Sequence, residues 1–435
     1  MADPDASTFR RAVRAIAVDL RPLRESRDFR RLWSGGVISV TGQEITIVAL
    51  FVQIYALTHS PAAVGLVGAV EFVPLLLGTI VGGPLIDRYD RRRLLAVTQT
   101  AMAASAAVLL LSALAENPPL WPIYAAAAVA AGVSGVDAPT RSAMTPNLVG
   151  KELLPAAINL NFAMWNIAVI IGPAIGGVVV GVAGLAWAYG ANLVTYAVAV
   201  LLVLSMHPAR PQGEQEPPRW LRAVKEGFAY LRGRPVLQSS FTIDIFAMVF
   251  GLPEALFPVL AALRFHGGPG AVGALFSSAA VGALVATLTA GWIGRVKHQG
   301  LAVIWAVVAW GAAITAFGLA SDLWVACVLL AVAGGADSIS AVFRSTILQS
   351  TVPDELRGRL SSIHFLVVSG GPRLGNLESG VVAQLTTPTI AVVSGGLLCI
   401  LGALGIALFV PAFRTYHAGD DTRGRKARTD AGGDP

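Results

Sequence analysis

Long apolar segments dominate the sequence, and they constrain the fold more than any other feature. Hydrophobic residues make up 55% of the 435 residues and charged residues only 13%, which excludes an ordinary soluble domain. A helix needs roughly 20 apolar residues to cross a bilayer, and runs of about that length follow one another along the chain. The sequence therefore predicts an all-α membrane protein with twelve transmembrane helices, numbered in chain order. The runs lie near 32–57, 64–86, 94–115, 120–142, 156–181, 184–206, 237–262, 270–293, 300–320, 323–344, 360–384 and 389–411.

Positive charge is concentrated on one side of these helices. All of the 32 Lys and Arg residues except Arg264 and Arg373 fall in the two terminal segments, the central loop, and loops or helix ends on the same side. The positive-inside rule places such loops in the cytoplasm. We therefore expect a multi-pass protein of the plasma membrane, here the bacterial cytoplasmic membrane, with both termini cytoplasmic. The basic side then contacts anionic membrane lipids, and its pattern does not indicate nucleic acid binding.

An internal repeat divides the helices into two homologous halves. The matching segments, at offsets of 203 or 208 residues, are Ala63-Val-Gly65 with Ala271-Val-Gly273, Arg141-Ser with Arg344-Ser, Gly172 with Gly375, and Gly177-Val-Val with Gly380-Val-Val. Two such six-helix halves with a substrate site between them are typical of secondary transporters. The predicted domains are a basic cytoplasmic tail at 1–28, an N-terminal half at 29–206, a cytoplasmic linker with an amphipathic helix at 207–236, a C-terminal half at 237–413 and a cytoplasmic tail at 414–435.

A short charged segment joins helices 2 and 3, and it reads Gly83-Pro-Leu-Ile-Asp87-Arg88-Tyr-Asp90-Arg91-Arg92-Arg93. It resembles the loop 2–3 signature of the major facilitator superfamily of secondary transporters, with Asp90 where that signature usually has glycine. The resemblance implies a conformational latch, in which Asp87 caps the positive amino-terminal end of helix 11 in the outward-facing state. The alternative interpretation is topological anchoring by positive charge alone.

Helix 4 contributes two further charged residues to the predicted latch. Asp137 and Arg141 lie one turn apart on this helix and can pair with each other, or with Arg88 or Arg92. The complete set of latch residues is Gly83, Asp87, Arg88, Arg91, Arg92, Asp137 and Arg141.

Helix 5 carries a glycine- and proline-rich segment. Its residues Gly172, Pro173, Gly176 and Gly177 predict a bend and a close approach to neighbouring helices. The segment resembles the core of the antiporter signature of drug and proton exchangers, although Ala168 replaces the first glycine. The resemblance favours export over import, and helix packing alone is the alternative interpretation.

Ionisable residues within the predicted spans are costly to bury and are candidates for function. A carboxyl group withdrawn from water into a cavity can exchange protons near neutral pH, as proton-coupled transport requires. Glu44 is the leading candidate, because it lies near the middle of helix 1 and helix 1 lines the cavity in this fold. The proton-coupling candidates are Glu44, Glu71, Asp244, Glu254 and Glu378. The candidates for contact with substrate are Gln43, Asn161, Trp165 and Arg373.

Longer stretches of the chain resemble the enterobactin (siderophore) exporter family, which includes drug exporters among its relatives. These stretches are 53–60, 185–189, 358–362 and 375–380. The resemblance implies a secondary active exporter of an amphiphilic organic solute, a siderophore or a drug, driven by proton antiport through alternating access. A broad-specificity multidrug pump without a siderophore role is the alternative within transport, and a non-transporting membrane receptor is a second.

An enzyme is not expected, because the sequence contains no zinc-protease, nucleophile-elbow or paired-cysteine motif. The absence of a P-loop motif argues against direct use of ATP. We expect no cofactor and no metal site. The expected partners are a small-molecule substrate, protons and membrane lipids, with the protein acting as a monomer.

Overall fold

The structure is a computed structural model that describes residues 19–208, 226–227 and 229–417. The amphipathic helix predicted for the linker and most of both terminal tails lie outside these residues. Within the described part, twelve long helices follow one another in the order that the sequence predicts. We label them α1 Arg27–Thr58, α2 Pro61–Arg88, α3 Arg91–Leu114, α4 Leu120–Leu148, α5 Leu154–Val182, α6 Leu185–Leu204, α7 Pro235–Leu263, α8 Pro269–Leu288, α9 Gln299–Leu319, α10 Leu323–Thr351, α11 Asp354–Leu385 and α12 Pro388–Phe409.

Eleven of these helices are long and apolar enough to cross a membrane. The twelfth, α11, has 32 residues but carries Pro372, Arg373 and Glu378 in its interior, which lowers its hydropathy. Short helices at Arg21–Glu25 and Pro411–Arg414 flank the bundle. The all-α membrane fold expected from the apolar runs is therefore confirmed.

Side-chain caps begin several of the helices. Asp90, which stands where the loop 2–3 signature usually has glycine, accepts hydrogen bonds from the backbone N–H groups of Arg92 (2.9 Å) and Arg93 (3.3 Å) at the start of α3. Asp322 caps α10 in the same way through Trp324. These carboxylates satisfy backbone donors that a helix leaves unpaired at its amino end. The aspartate at position 90 thus has a local structural role.

Helix α7 is interrupted near its middle. Its first segment ends at Phe250, a single 3₁₀ turn spans Glu254–Leu256, and the helix resumes at Phe257. Pro253 has no backbone N–H and cannot continue the regular hydrogen-bond pattern. Other helices satisfy the freed groups: Trp310 Nε1 donates to the Gly251 carbonyl (3.1 Å), and Asn376 Oδ1 accepts from the Ala255 N–H (3.0 Å).

The two halves meet along two equivalent helix pairs, α2 with α11 and α5 with α8. A Cβ atom placed on Gly380 would lie 2.8 Å from the Cα of Gly65, and one on Gly177 would lie 2.8 Å from the Cα of Gly273. Only glycine permits backbones to approach this closely. These four glycines belong to the segments that repeat in the sequence, so the repeated residues are the ones that form the contacts between the halves.

Both glycine contacts lie toward the same end of the bundle. Gly65 and Gly273 are near the starts of α2 and α8, whereas Gly177 and Gly380 are near the ends of α5 and α11. The end of the bundle that carries Arg91 and its neighbours is called the basic end, and the glycine contacts lie at the opposite end. Near the basic end, no atom of another helix lies within 4 Å of the position that a Cβ on Gly83 of α2 would occupy. The halves are thus in tight contact at the end opposite to the basic end.

Candidate functional site

An ion pair joins the two halves near the middle of the bundle. Arg373 Nε of α11 donates to Glu71 Oε2 of α2 at 3.1 Å, and each side chain is about a fifth exposed. The backbone carbonyl of Arg373 also lies directly against Gly68 of α2. The Glu71 and Arg373 side chains are 302 positions apart in sequence and come from different halves. Any separation of α2 from α11 would therefore break this pair.

Two more acids belong to the same central cluster. Glu44 of α1 lies with its side chain against Gly172 of α5, and it interacts electrostatically with both Glu254 and Arg373. Glu254, at the break in α7, interacts electrostatically with Arg373 and Glu71. The structure thus brings together three of the five predicted proton-coupling acids with the predicted cavity residue Arg373. The guanidinium of Arg373 therefore interacts with the carboxyl groups of all three acids.

The other two predicted acids lie elsewhere. Asp244 is 1% exposed and pairs with Arg344 of α10 at 2.9 Å. Glu378 lies one turn beyond Gly375 on α11, is half-buried, and forms no ion pair with a described residue. The sequence alone does not distinguish Asp244 and Glu378 from the acids of the central cluster, because all of them lie within apolar spans.

The remaining predicted cavity residues lie on α1 and α5. Asn161 donates to Thr145 Oγ1 of α4 at 3.2 Å, and Gln43 is half-buried beside Glu44. Trp165 is 48% exposed and lies seven residues before Gly172, which places it on the face of α5 that meets α1. An exposed indole near the central cluster provides a flat apolar surface for an organic ligand.

The predicted bend segment of α5 lies between α1 and α8. Gly176 packs on Ile45 of α1, while the Pro173 carbonyl and Gly177 face Gly273 of α8. Helix α5 nevertheless runs without interruption from Leu154 to Val182. The small residues in this segment therefore serve close approach on two sides of one continuous helix.

The charged segment between α2 and α3 is held mainly by backbone carbonyls. Arg91 Nη1 donates to the Ala143 carbonyl of α4 at 2.9 Å, and Arg92 donates to the Leu204 carbonyl of α6. Arg88 lies beside the Tyr89 ring, 5.8 Å from its centroid. Asp87 is half-buried and forms no hydrogen bond or ion pair with a described residue.

The predicted pair on α4 is present. Arg141 Nε donates to Asp137 Oδ2 at 2.7 Å, and Asp137 Oδ1 accepts from Thr98 and Gln99 of α3, each at 2.7 Å. The expected alternative contacts of this pair with Arg88 or Arg92 are not formed, because α3 donors occupy the second oxygen of Asp137 and Arg92 is directed to α6. The pair therefore joins helices within the first half.

A second buried charged cluster was not predicted from the sequence. Arg344 of α10 is 2.9 Å from Asp244 of α7 and 3.6 Å from Asp337 of its own helix, and His364 Nδ1 of α11 is 3.7 Å from Asp244. The repeat could have pointed to this cluster, because Arg344 matches Arg141, which was predicted to form an ion pair. Within the described residues, no group of three or more His, Cys, Asp or Glu side chains is arranged to hold a metal ion.

The arginine sites of the two halves are related by an exchange of partners. In the first half, Arg141 pairs with Asp137 on its own helix and donates to Ser39 Oγ of α1 at 3.4 Å. In the second half, Arg344 donates to Ser340 on its own helix at 2.7 Å and pairs with Asp244 of α7. Each arginine thus has a serine and a carboxylate within 3.4 Å, and these two groups lie on exchanged helices in the two halves; Arg344 has Asp337 as an additional carboxylate at 3.6 Å.

The equivalence of these positions follows from the repeat. Ser340 matches Asp137 at the offset of 203 residues. Gly172 packs on Glu44, and its match Gly375 packs on the backbone of Met248 and Val249. Ser39 lies five residues before Glu44 on α1, and Asp244 lies four and five residues before Met248 and Val249 on α7.

Comparisons with known proteins agree with this architecture. Residues 17–423 match the family model of the transmembrane secretion effectors, a group within the major facilitator superfamily. The chain is 28% identical to the enterobactin exporter EntS of Citrobacter koseri over 388 residues, covering 89% of this chain and 93% of that protein. It is also 28% identical to EntS of Escherichia coli O1:K1 over 395 residues, covering 90% and 94%.

Solved structures of transporters share the fold. The nucleoside transporter NupG superposes with a TM-score of 0.67 at 14% identity, covering 89% of this chain and 98% of that one. A peptide transporter POT in complex with sulfate gives a TM-score of 0.72 at 11% identity, covering 89% and 95%. The chain therefore belongs to the transmembrane secretion effector family of the major facilitator superfamily, and it is a multi-pass membrane transporter rather than an enzyme.

Proposed function

We propose that this transporter exports an amphiphilic organic solute, a siderophore or a drug, in exchange for protons. The observation that carries the proposal is the central cluster, in which Glu71 and Arg373 pair across the two halves beside Glu44 and Glu254. Export of a solute is supported by the relatives named as enterobactin exporters. A broad-specificity drug pump would use the same cluster and differ in the side chains of its cavity.

The charge balance of the cluster suits proton exchange. Three ionised carboxylates around one guanidinium would leave two negative charges in a poorly hydrated place, which is costly. Binding of protons by the cluster lowers that cost. Glu44 is the best placed carrier, because Arg373 already has Glu71 as a direct partner.

Alternating access would act on the cluster directly. Glu44 and Glu71 belong to the first half, whereas Glu254 and Arg373 belong to the second. Rocking of the halves would change the distances between these groups and hence their affinity for protons. The tight contact at the end opposite to the basic end supports the view that this conformation opens toward the basic end, which we place in the cytoplasm of a bacterial cell.

The predicted latch belongs to the opposite conformation in this proposal. Asp87 has no described partner here and is available to cap the amino-terminal end of α11 once the basic ends of the halves close. Arg91 and Arg92 hold the segment in place through carbonyls of α4 and α6. We propose that a single chain performs the whole cycle.

Reconstituted vesicles with an imposed pH gradient provide the test. We expect Glu44→Gln to bind labelled enterobactin or ethidium and to exchange it, but to lose accumulation driven by the gradient. The matched control is Glu116→Gln, the same chemical change at an exposed residue of the loop between α3 and α4. Full accumulation by Glu44→Gln would transfer the role to Glu71 or Glu254, or show that the driving ion is not the proton.

A further inference from the structure

The second charged cluster, Asp244, Asp337, Arg344 and His364, is built differently from the central one. It lies wholly within the second half and connects α7, α10 and α11. Asp244 and Arg344 have side chains that are 1% and 3% exposed, whereas Asp337 and His364 are 34% and 27% exposed. The cluster thus has a buried ion pair at its centre and two titratable groups that are partly exposed.

Among the described side chains, the charges of this cluster do not balance. Asp244 and Asp337 are both within 4 Å of Arg344, so two carboxyl groups share one guanidinium. Asp244 Oδ2, Asp337 Oδ1 and Arg344 Nε are buried without a hydrogen-bond partner among the described residues, and Asp244 Oδ1 is 2.9 Å from Arg344 Nη2 in the ion pair. A buried carboxylate that is neither fully paired nor hydrogen-bonded is costly, and one bound proton would remove the excess charge.

Few other titratable groups are available to balance the charge. Helices α8 and α9, which pack against α10, contain no titratable side chain along their lengths. Helix α12 contributes the Cys399 thiol, which interacts electrostatically with Asp337. Helix α11 contributes His364, and its Arg373 and Glu378 lie more than two turns further along. The charged side chains near its start, Asp354, Glu355, Arg357 and Arg359, lie outside the described part of the structure. Among the described side chains, the compensating proton can reside on His364 or on one of the two aspartates.

The first half serves as an internal control for this interpretation. At the offset of 203 residues, Arg344 matches Arg141, but Asp337 matches Ser134 and His364 matches Asn161. The first half therefore keeps the arginine with one carboxylate and lacks both additional titratable groups. The extra acid and the histidine are therefore present in the second half only.

We propose that Asp337 and His364, together with the Asp244–Arg344 pair, form a second proton-binding site that takes up one proton independently of the central cluster. The two partly exposed groups exchange the proton with water, and the buried pair holds it by electrostatic attraction. The site joins three helices of one half, so the proton binds within that half rather than between the halves.

Proton uptake by the purified full-length protein in detergent, without substrate, tests the proposal. The protein is titrated between about pH 5 and about pH 9, and the carboxylic acid band is followed by infrared difference spectroscopy. We expect Asp337→Ser, which installs the first half's residue, to take up about one proton less per chain and to lose part of that band. We expect His364→Asn to shift the midpoint of the remaining transition.

Two further variants make the result decisive. Asp322→Ser is the matched control, since it makes the same change at the exposed cap of α10, where serine can still cap; it should leave the intramembrane band unchanged. Asp337→Asn preserves shape and replaces Asp337→Ser if the latter does not fold. Unchanged proton uptake in a folded Asp337 variant would overturn the proposal. Because no substrate or gradient is used, this outcome is independent of the Glu44→Gln vesicle assay.

Discussion

The exchange of partners around the two arginines predicts that a damaging substitution can be repaired from another helix. Asp137→Ser gives Arg141 a serine on its own helix, as Arg344 has in Ser340, but it removes the one carboxylate that contacts Arg141 among the described residues. Ser39→Asp then supplies a carboxylate at the position that Asp244 occupies in the second half. The double variant therefore rebuilds the second half's arrangement inside the first half.

The magnitude follows from the contacts. The Asp137 and Arg141 side chains are 9% and 13% exposed, and breaking such a buried pair costs about 3–5 kcal/mol. Ser39 Oγ is already 3.4 Å from Arg141 Nη2, so a carboxylate there can form the ion pair. Thr98 and Gln99 still lose their acceptor, at about 1 kcal/mol each. We expect the double variant to remain about 2 kcal/mol less stable than the parent.

Equilibrium unfolding in mixed micelles measures these differences in a double-mutant cycle. The single variant Ser39→Asp should also destabilise, because it places a second carboxylate on Arg141 without a second cation. The two changes should then couple favourably by at least about 1–3 kcal/mol. The mirror experiment, Asp244→Ser with Ser340→Asp, tests the same logic around Arg344. Additive losses in both cycles would refute the equivalence of the two arginine sites.

Two further predictions concern the balance between conformations. Gly177→Ala would place a Cβ 2.8 Å from the Cα of Gly273, so we expect a shift of about 1–3 kcal/mol away from this conformation, read from spin-label distances across the halves. Gly181→Ala, where the nearest atom is 3.8 Å away, is the control, and equal behaviour of the two variants would contradict the contact. Asp87→Asn should insert normally but transport more slowly, by roughly 5- to 150-fold if the latch contributes about 1–3 kcal/mol. Transport by Asp87→Asn at the parental rate in vesicles would contradict the proposed role of Asp87 as a latch.

Features encoded by local spacing were predictable from the sequence. Twelve apolar runs gave the helices, and the separation of Asp137 from Arg141 by one turn gave their ion pair. The repeat indicated two halves, and its glycines lie at the contacts between them. Each of these features depends on residues that are close in sequence or related by one fixed offset.

Contacts between distant helices were not predictable in the same way. Nothing in the neighbourhood of Glu71 indicates that Arg373 is its partner, since 302 positions separate them and packing alone brings them together. Asp337 was not recognised because its importance depends on Arg344 being shared with a second acid on α7. Asp90 was seen as a departure from a signature, whereas its capping role required the backbone geometry of α3.

The glycine contacts between the halves have a consequence for leakage. At Gly65 with Gly380, and at Gly177 with Gly273, main-chain atoms approach so closely that an added Cβ atom would lie 2.8 Å from the facing Cα. The proton exchange proposed above requires that protons do not cross without cargo, and close backbone contacts would block them without any side chain that must rotate. Enlarging one of these glycines would therefore do more than slow the cycle. It would keep the two helices apart at this contact, and protons would then leak down their gradient even when no substrate is present.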